Sequence, residues 1–273
     1  MAEITAKLVN DLRARTNQPM MDCKRMLTQT GGDIEKAIEE FRKKGIKSSL
    51  GERAATEGRV AAVVSEDGKA GAVVEVNCNT DFTAKSEPLL KLAAKAAQAL
   101  LANPESDVAA APQVNADVTT VAQTTGENIR IGRAGYLSNS AGKVGAYLYS
   151  ITGKIGVIMS VSGDVAKADE ELFRQLGGHI AFAKPLGLNR SEVPAELVAK
   201  ERAFAVEQAT ATGKPQQIAE KIAEGKLNAF FAERVLLDQE FFNSQVFKGT
   251  IANMLKNAGL TLEKYARVEV GQG

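Results

Sequence analysis

The sequence predicts an α+β protein: an N-terminal three-helix bundle, then two related α+β core subdomains with small antiparallel sheets, the second carrying an inserted helical hairpin. Three observations predict this. The first 45 residues hold three short amphipathic segments, each with its own stop signal. Further on, "GKAGAVVEV" at 68–76 and "GKIGVIMSV" at 153–161 share glycine spacing and apolar pattern 85 positions apart. Lastly, a long polar helical stretch interrupts the second of these copies.

In the bundle, the first helix carries Ile4, Leu8 and Leu12 on one face. The second opens near Pro19 and aligns Met20, Cys23 and Leu27; the third follows a capping Asp33 and aligns Ile34, Ile38 and Phe41. Gly31 and Gly32 separate the last two, and Gly45 ends the third. "RKKGIKSSLGERAATEGR", from Arg42 to Arg59, has no sustained apolar stripe and reads as a tether, with enough basic residues to touch a phosphate or an acidic partner.

Each copy of the repeat follows another strand-like run, "RVAAVVS" from Arg59 and "VGAYLYS" from Val144. Each pair reads as a hairpin, turning at Asp67-Gly68 or Thr152-Gly153, where glycine supplies a positive φ. A helix follows in both, with Leu89, Leu92, Ala96 and Leu100 inward in one and Leu172, Leu176 and Ile180 in the other. "NIRIGRAGYL" from Asn128 and "YARVEVG" from Tyr265 close the two sheets, each after a polar helical stretch. "LANPESDVAAAPQVNADV", Leu101 to Val118, reads as a surface connection. These signals divide the chain at 1–55, 56–140 and 141–273.

The insertion runs from about Asn189 to Phe242, with helices over Ser191–Thr212 and Pro215–Phe231 joined by "TGKP", a hairpin at about 190–235. Its stripe of Ile218, Ile222 and Phe230 is covered either by the sister helix or by another copy of the chain.

Composition narrows function. Among 273 residues, 34 Lys and Arg face 33 Asp and Glu, so no global field draws nucleic acid or an anionic membrane. Cys23 and Cys78 fit no metal or redox spacing, the start "MAEITAKL" lacks a signal-peptide pattern, and no apolar run reaches the roughly 20 residues of a membrane span, so a cytoplasmic protein is expected. A single histidine, His179, rules out a multi-histidine metal site. With no phosphate-cradling glycine motif and no Trp, neither an enzyme, a cofactor, a bound metal, nor direct nucleotide or nucleic-acid binding is expected. His179 itself, beside the apolar stripe of its helix, is either a structural residue or part of an interface.

The stretch "NCNTDFTAKSEP" at 77–88 stands out, because it puts Phe82 into a strand-to-helix turn. The equivalent stretch of the second copy, "SGDVAKADEE", has no aromatic, so the shared fold does not require the ring. Either Asp81 caps the following helix while Phe82 packs locally, or the ring is presented to another molecule.

Several separated segments resemble one family in the right order: "MAEITAKLVNDLRART", "MMDCKRML", "GGDIEKAIEEFRKKG", "EVNCNTDF", "GHIAFAKP", "GKPQQIAEKIAEGKLNAFF" and "RVEVGQG". The family is translation elongation factor Ts, and the resemblance spans essentially the whole chain. It implies a ubiquitin-associated-like fold for the bundle and a guanine nucleotide exchange factor that binds elongation factor Tu carrying GDP and disturbs its magnesium. The residues matching the magnesium-dislocating turn are Thr80, Asp81, Phe82 and Thr83. Met20, Met21, Asp22, Cys23, Lys24 and His179 match positions near the partner, although Met20 and Cys23 also suit the bundle core. The hairpin corresponds to a dimerisation module. Two departures are visible: Thr83 stands where valine is usual, and the chain stops at "VEVGQG", where many relatives continue into a helical module. The competing expectation is an adaptor that binds without promoting exchange.

Overall fold

The computed structural model describes residues 4–16, 18–43 and 54–272. Helices α1 (Ala6–Thr16), α2 (Met20–Gln29) and α3 (Ile34–Lys43) share a core of Val9, Leu12, Cys23, Met26, Leu27, Ala37 and Phe41. Asp33 caps α3, its Oδ1 accepting from the Lys36 amide at 3.1 Å. The buried face of α2 is not the expected one at its start: Met20 is exposed, and Met26 takes the inward place. The expected stop at Gly45 and most of the tether lie outside the described residues.

Next come β1 (Glu57–Val64), β2 (Ala70–Cys78), the single turn α4 (Asp81–Ala84), α5 (Glu87–Ala102), α6 (Pro112–Thr125) and β3 (Arg130–Ser138). The second copy runs β4 (Lys143–Leu148), β5 (Ile155–Gly163), α7 (Glu170–Ala183), α8 (Ala195–Ala211), α9 (Gln216–Arg234), α10 (Ile251–Ala258) and β6 (Leu260–Glu269). Both sheets are antiparallel and three-stranded, in the orders β1-β2-β3 and β4-β5-β6. The hairpin turns carry Gly68 at φ 66° and Gly153 at φ 62°, as expected.

The period-2 pattern of the central strands gives each sheet two buried faces. Ala72, Val74 and Val76 join Leu89, Leu92 and Ala96 of α5 in one core. Val157, Met159 and Val161 join Phe173, Leu176 and Ile180 of α7 in another. The opposite faces meet each other, around Val60, Val73 and Leu137 of one sheet and Val144, Ile158 and Val268 of the other. The result is a four-layer stack, helix on sheet on sheet on helix.

The two copies meet as near-equivalents. Val60 donates its amide to the Gly153 carbonyl at 2.8 Å, while Val144 donates to the Gly68 carbonyl at 2.7 Å, so each hairpin turn clasps the first strand of the other copy. Gly71 and Gly156 allow this closeness. A Cβ on Gly71 would lie 2.8 Å from Val144 Cγ1, and one on Gly156 would lie 2.6 Å from Val60 Cγ1.

Three expectations need correction. The segment from Leu101 to Val118 is not a surface connection throughout: Val108 and Val114 are buried in the first core, and α6 begins at Pro112. Proline at the first helical position sets φ without sacrificing a needed donor, so it starts this helix. Strand β6 starts at Leu260 rather than near Tyr265, straight after the left-handed Gly259 that ends α10. In the hairpin the buried stripe is Ala219, Ala223, Leu227 and Phe231, one position away from Ile218, Ile222 and Phe230, because alanines let α8 approach closely with Ala205 and Ala209.

Candidate partner-binding site

Strand β2 ends at Cys78, and the chain turns through Asn79 and Thr80 into α4. The cap is Thr80, not Asp81: Thr80 is extended, and its Oγ1 accepts from the Thr83 amide at 3.2 Å. The Ala84 amide donates to the Thr80 carbonyl at 3.1 Å and the Ser86 hydroxyl to the Thr83 carbonyl at 2.7 Å, closing the turn. Asp81 points outward to Lys85 at 2.8 Å, and that ammonium holds its carboxyl below the ordinary aspartate value. Thr83 and Ala84 face inward. With both neighbours committed, Phe82 is left facing water, 86% exposed, and local packing of the ring is ruled out.

The element that fixes the turn is Glu127, a residue that no sequence motif singles out. Its Oε2 accepts from the amides of Asn79 at 2.9 Å and Thr80 at 3.1 Å; its Oε1 accepts from the hydroxyls of Thr80 at 2.6 Å and Thr83 at 2.7 Å. Burial disfavours the charge, but these hydrogen bonds outweigh it and hold the carboxyl below the ordinary glutamate value. Asn79 Oδ1 accepts from the Asn128 amide at 2.7 Å, which ties the turn to the start of β3 a second time. Thr83, the departure from valine, uses its extra hydroxyl on Glu127. Under the turn lies Cys78, whose thiol is pushed up to about 12 by burial and by the Glu127 charge, so it is a neutral, inert packing group. The signal available in the sequence was an acid placed directly after Gly126, the left-handed residue that ends α6 at φ 68°.

On α2, Met21 is 72% and Met20 49% exposed, with Lys24 also at the surface and Asp22 paired to Arg25. Cys23 is fully buried, near Thr16 Oγ1 at 3.7 Å and the Gln18 carbonyl at 3.6 Å, and burial raises its thiol.

His179 on α7 is buried. The Phe242 amide donates to Nδ1 at 3.3 Å, so the proton sits on Nε2, which donates to Gln239 Oε1 at 2.9 Å. Gln239 is oriented by its own donation to the Glu233 carbonyl at 2.7 Å. Desolvation dominates and lowers the histidine below its ordinary value, fixing the neutral ring. Around it stand aromatic residues that the sequence did not mark: Phe241 stacks on the imidazole, Phe242 lies tilted beside it with its side chain largely exposed, and Phe182, also exposed, meets Tyr149 edge-on. Whatever His179 does at a surface it does through these neighbours.

Among the described residues no group of three or more His, Cys, Asp or Glu side chains is arranged to hold a metal, and no helix is long and apolar enough to cross a membrane. The arrangement presents an apolar ring on a hydrogen-bonded mount.

The family model for Elongation factor TS matches residues 79–272, a span that begins at the turn just described. The chain is 40% identical over 280 residues to Elongation factor Ts of Methylococcus capsulatus, covering 99% of this chain and 93% of that protein. It is 41% identical over 284 residues to Elongation factor Ts of Thiobacillus denitrificans, covering 100% and 94%. With relatives of this identity matched almost end to end, the chain belongs to the elongation factor Ts family of translation elongation factors.

Proposed function

We propose that the chain is a guanine nucleotide exchange factor, which binds elongation factor Tu carrying GDP in the cytoplasm and promotes release of the nucleotide. The observation that carries the reading is Phe82, an apolar ring 86% exposed on a turn whose inward hydroxyls are both bonded. Such a ring gains by leaving water in a complex. Magnesium demands near-ideal octahedral geometry, so a wedge that shifts the elements carrying its ligands weakens the metal and with it the nucleotide. Asp81, beside the ring and exposed, is free to exchange Lys85 for polar groups of the partner.

No bond is made or broken; affinity is redistributed. The coupling is reciprocal, so GDP weakens the grip of the factor as much as the factor weakens that of GDP. A shift on the order of 10⁴ requires about 5.5 kcal/mol of differential binding. One ring does not supply that, and the remaining contribution falls to the wider surface, where exposed Met20 and Met21 on α2 and the aromatics over His179 offer apolar contacts. A second copy of this chain is a further partner for the α8–α9 hairpin, whose Phe204 and Ile218 are 56% and 48% exposed.

The test is release of fluorescent GDP from elongation factor Tu under saturating chain. The intact chain is expected to accelerate release, and Phe82→Ala to slow it by at least tenfold while unfolding at an unchanged temperature. Binding without acceleration would make the chain an adaptor and overturn the exchange reading.

A further inference from the structure

The two copies of the α+β unit solve the same local problem differently, and the difference centres on Glu127. After the central strand, the first amide of the following turn needs an acceptor. In the second copy this is the Asp164 amide, which donates to the backbone carbonyl of Gly259 at 2.9 Å. In the first copy it is the Asn79 amide, and the acceptor is the Glu127 side chain. Gly126 and Gly259 are counterparts, both left-handed caps at φ 68° and 69° on the helix that precedes the third strand. The residue after the glycine is Glu127 in one copy and buried Leu260 in the other. Phe82 and Glu127 therefore occur together in the first copy and are together missing from the second.

A backbone carbonyl would satisfy the fold, as the second copy demonstrates. The carboxylate does more, because it reaches past the first amide to the Thr80 amide and to both threonine hydroxyls that flank Phe82. Thr80 is at once the cap of α4 and a ligand of Glu127, and Thr83 is the first residue after the ring. Phe82 thus sits between two hydroxyls anchored to one oxygen atom. Bonds to an ionised acceptor are stronger than neutral ones, and four of them on one carboxylate leave the turn few alternative conformations.

We propose that Glu127 is a positioning residue for exchange: its ionised carboxylate holds the turn in the one conformation that presents Phe82, so that the ring meets the partner already ordered. The inference rests on the reading of Phe82 as the exchange wedge. An ordered wedge loses less conformational freedom as it enters the partner. Release of GDP at saturation therefore depends on Glu127, whereas the concentration of chain needed for half-saturation, set by the whole surface, depends on it little.

The experiment measures fluorescent GDP release from elongation factor Tu across a range of chain concentrations for Glu127→Ala, Glu127→Gln, Thr83→Val and Phe82→Ala, with hydrogen exchange of the Asn79 and Thr80 amides followed in the free chain. Glu127→Ala is expected to lower the saturating rate about tenfold, to move the half-saturating concentration by less than about threefold, and to speed exchange of both amides. Glu127→Gln keeps an acceptor for the two amides and is expected to recover part of the rate; it also serves if Glu127→Ala does not fold. Thr83→Val, which removes one hydroxyl and preserves shape, is expected to lower the rate about twofold. A folded Glu127→Ala or Glu127→Gln chain with faster amide exchange but an unchanged saturating rate, beside a slowed Phe82→Ala, would overturn the positioning role alone. An unchanged rate for Phe82→Ala would overturn the wedge reading and this inference with it.

Discussion

The first and second α+β copies share a sheet order, hairpin glycines, an outer helix and even the site of an irregularity, since β2 shifts register around Glu75 and β5 between Ser160 and Val161. They differ in the segment that leaves the central strand. The first passes through a single capped turn that exposes Phe82; the second passes through a 3-10 turn, Val165–Lys167, and the buried Ala168 to Asp169, whose Oδ1 caps α7 through the Leu172 amide at 2.8 Å. The second copy in turn carries the long α8–α9 hairpin and the buried His179 cluster. The two copies thus share their packing and differ in their connections, which form separate surfaces.

The sharpest way to break the comparison is at the face the sheets share. Ile158→Ala is expected to cost about 2–5 kcal/mol, because Ile158 is fully buried there. Its counterpart Val73→Ala removes less side chain from the same layer and should cost less. Urea denaturation measures both, and the comparison fails if the valine change is the more damaging. Gly71→Val and Gly156→Val push a side chain into the valine of the opposite sheet, at an expected cost of about 1–3 kcal/mol each. Near-equal losses would bear out equivalence; a neutral effect at either position would contradict it.

The smallest expected effect separates the halves by pH. His179 is lowered in the folded chain, so the unfolded chain binds a proton that the folded chain refuses. Its contribution to stability is therefore present above the ordinary histidine value of about 6.5 and is lost as pH falls below it. Thermal unfolding between pH 7 and 5 should show this slope, and His179→Gln should flatten it. The depressed carboxylates Glu75, Glu127 and Glu269 lose their contributions only at lower pH, as they protonate.

Much of the fold was legible because it rests on local rules. Hairpin glycines and period-2 runs marked both sheets, and leucine spacing marked α5 and α7. Helix α6 was partly hidden because Val114 and Val121 are its only fully buried side chains, too few to write a stripe. The hairpin stripe shifted by one because isoleucine looks more apolar than alanine, although close helix packing selects alanine. The face-to-face stacking of the sheets was not legible at all, since an apolar strand does not say what covers its second face. At the candidate site, Phe82 was visible as an anomaly against its own repeat. Glu127 was not, because it is 44 to 48 positions from the groups it binds and only the fold brings them together.

The reciprocal clasp of the hairpin turns, Val60 onto Gly153 and Val144 onto Gly68, bears on how the chain acquires its structure. Neither half completes its own backbone pairing, and each leaves an apolar sheet face bare until the other arrives. Docking of the halves joins residues far apart in sequence, the kind of closure that slows folding. Loss of either half is expected to bare the sheet face of the other, so urea unfolding followed in both sheets should give a single transition.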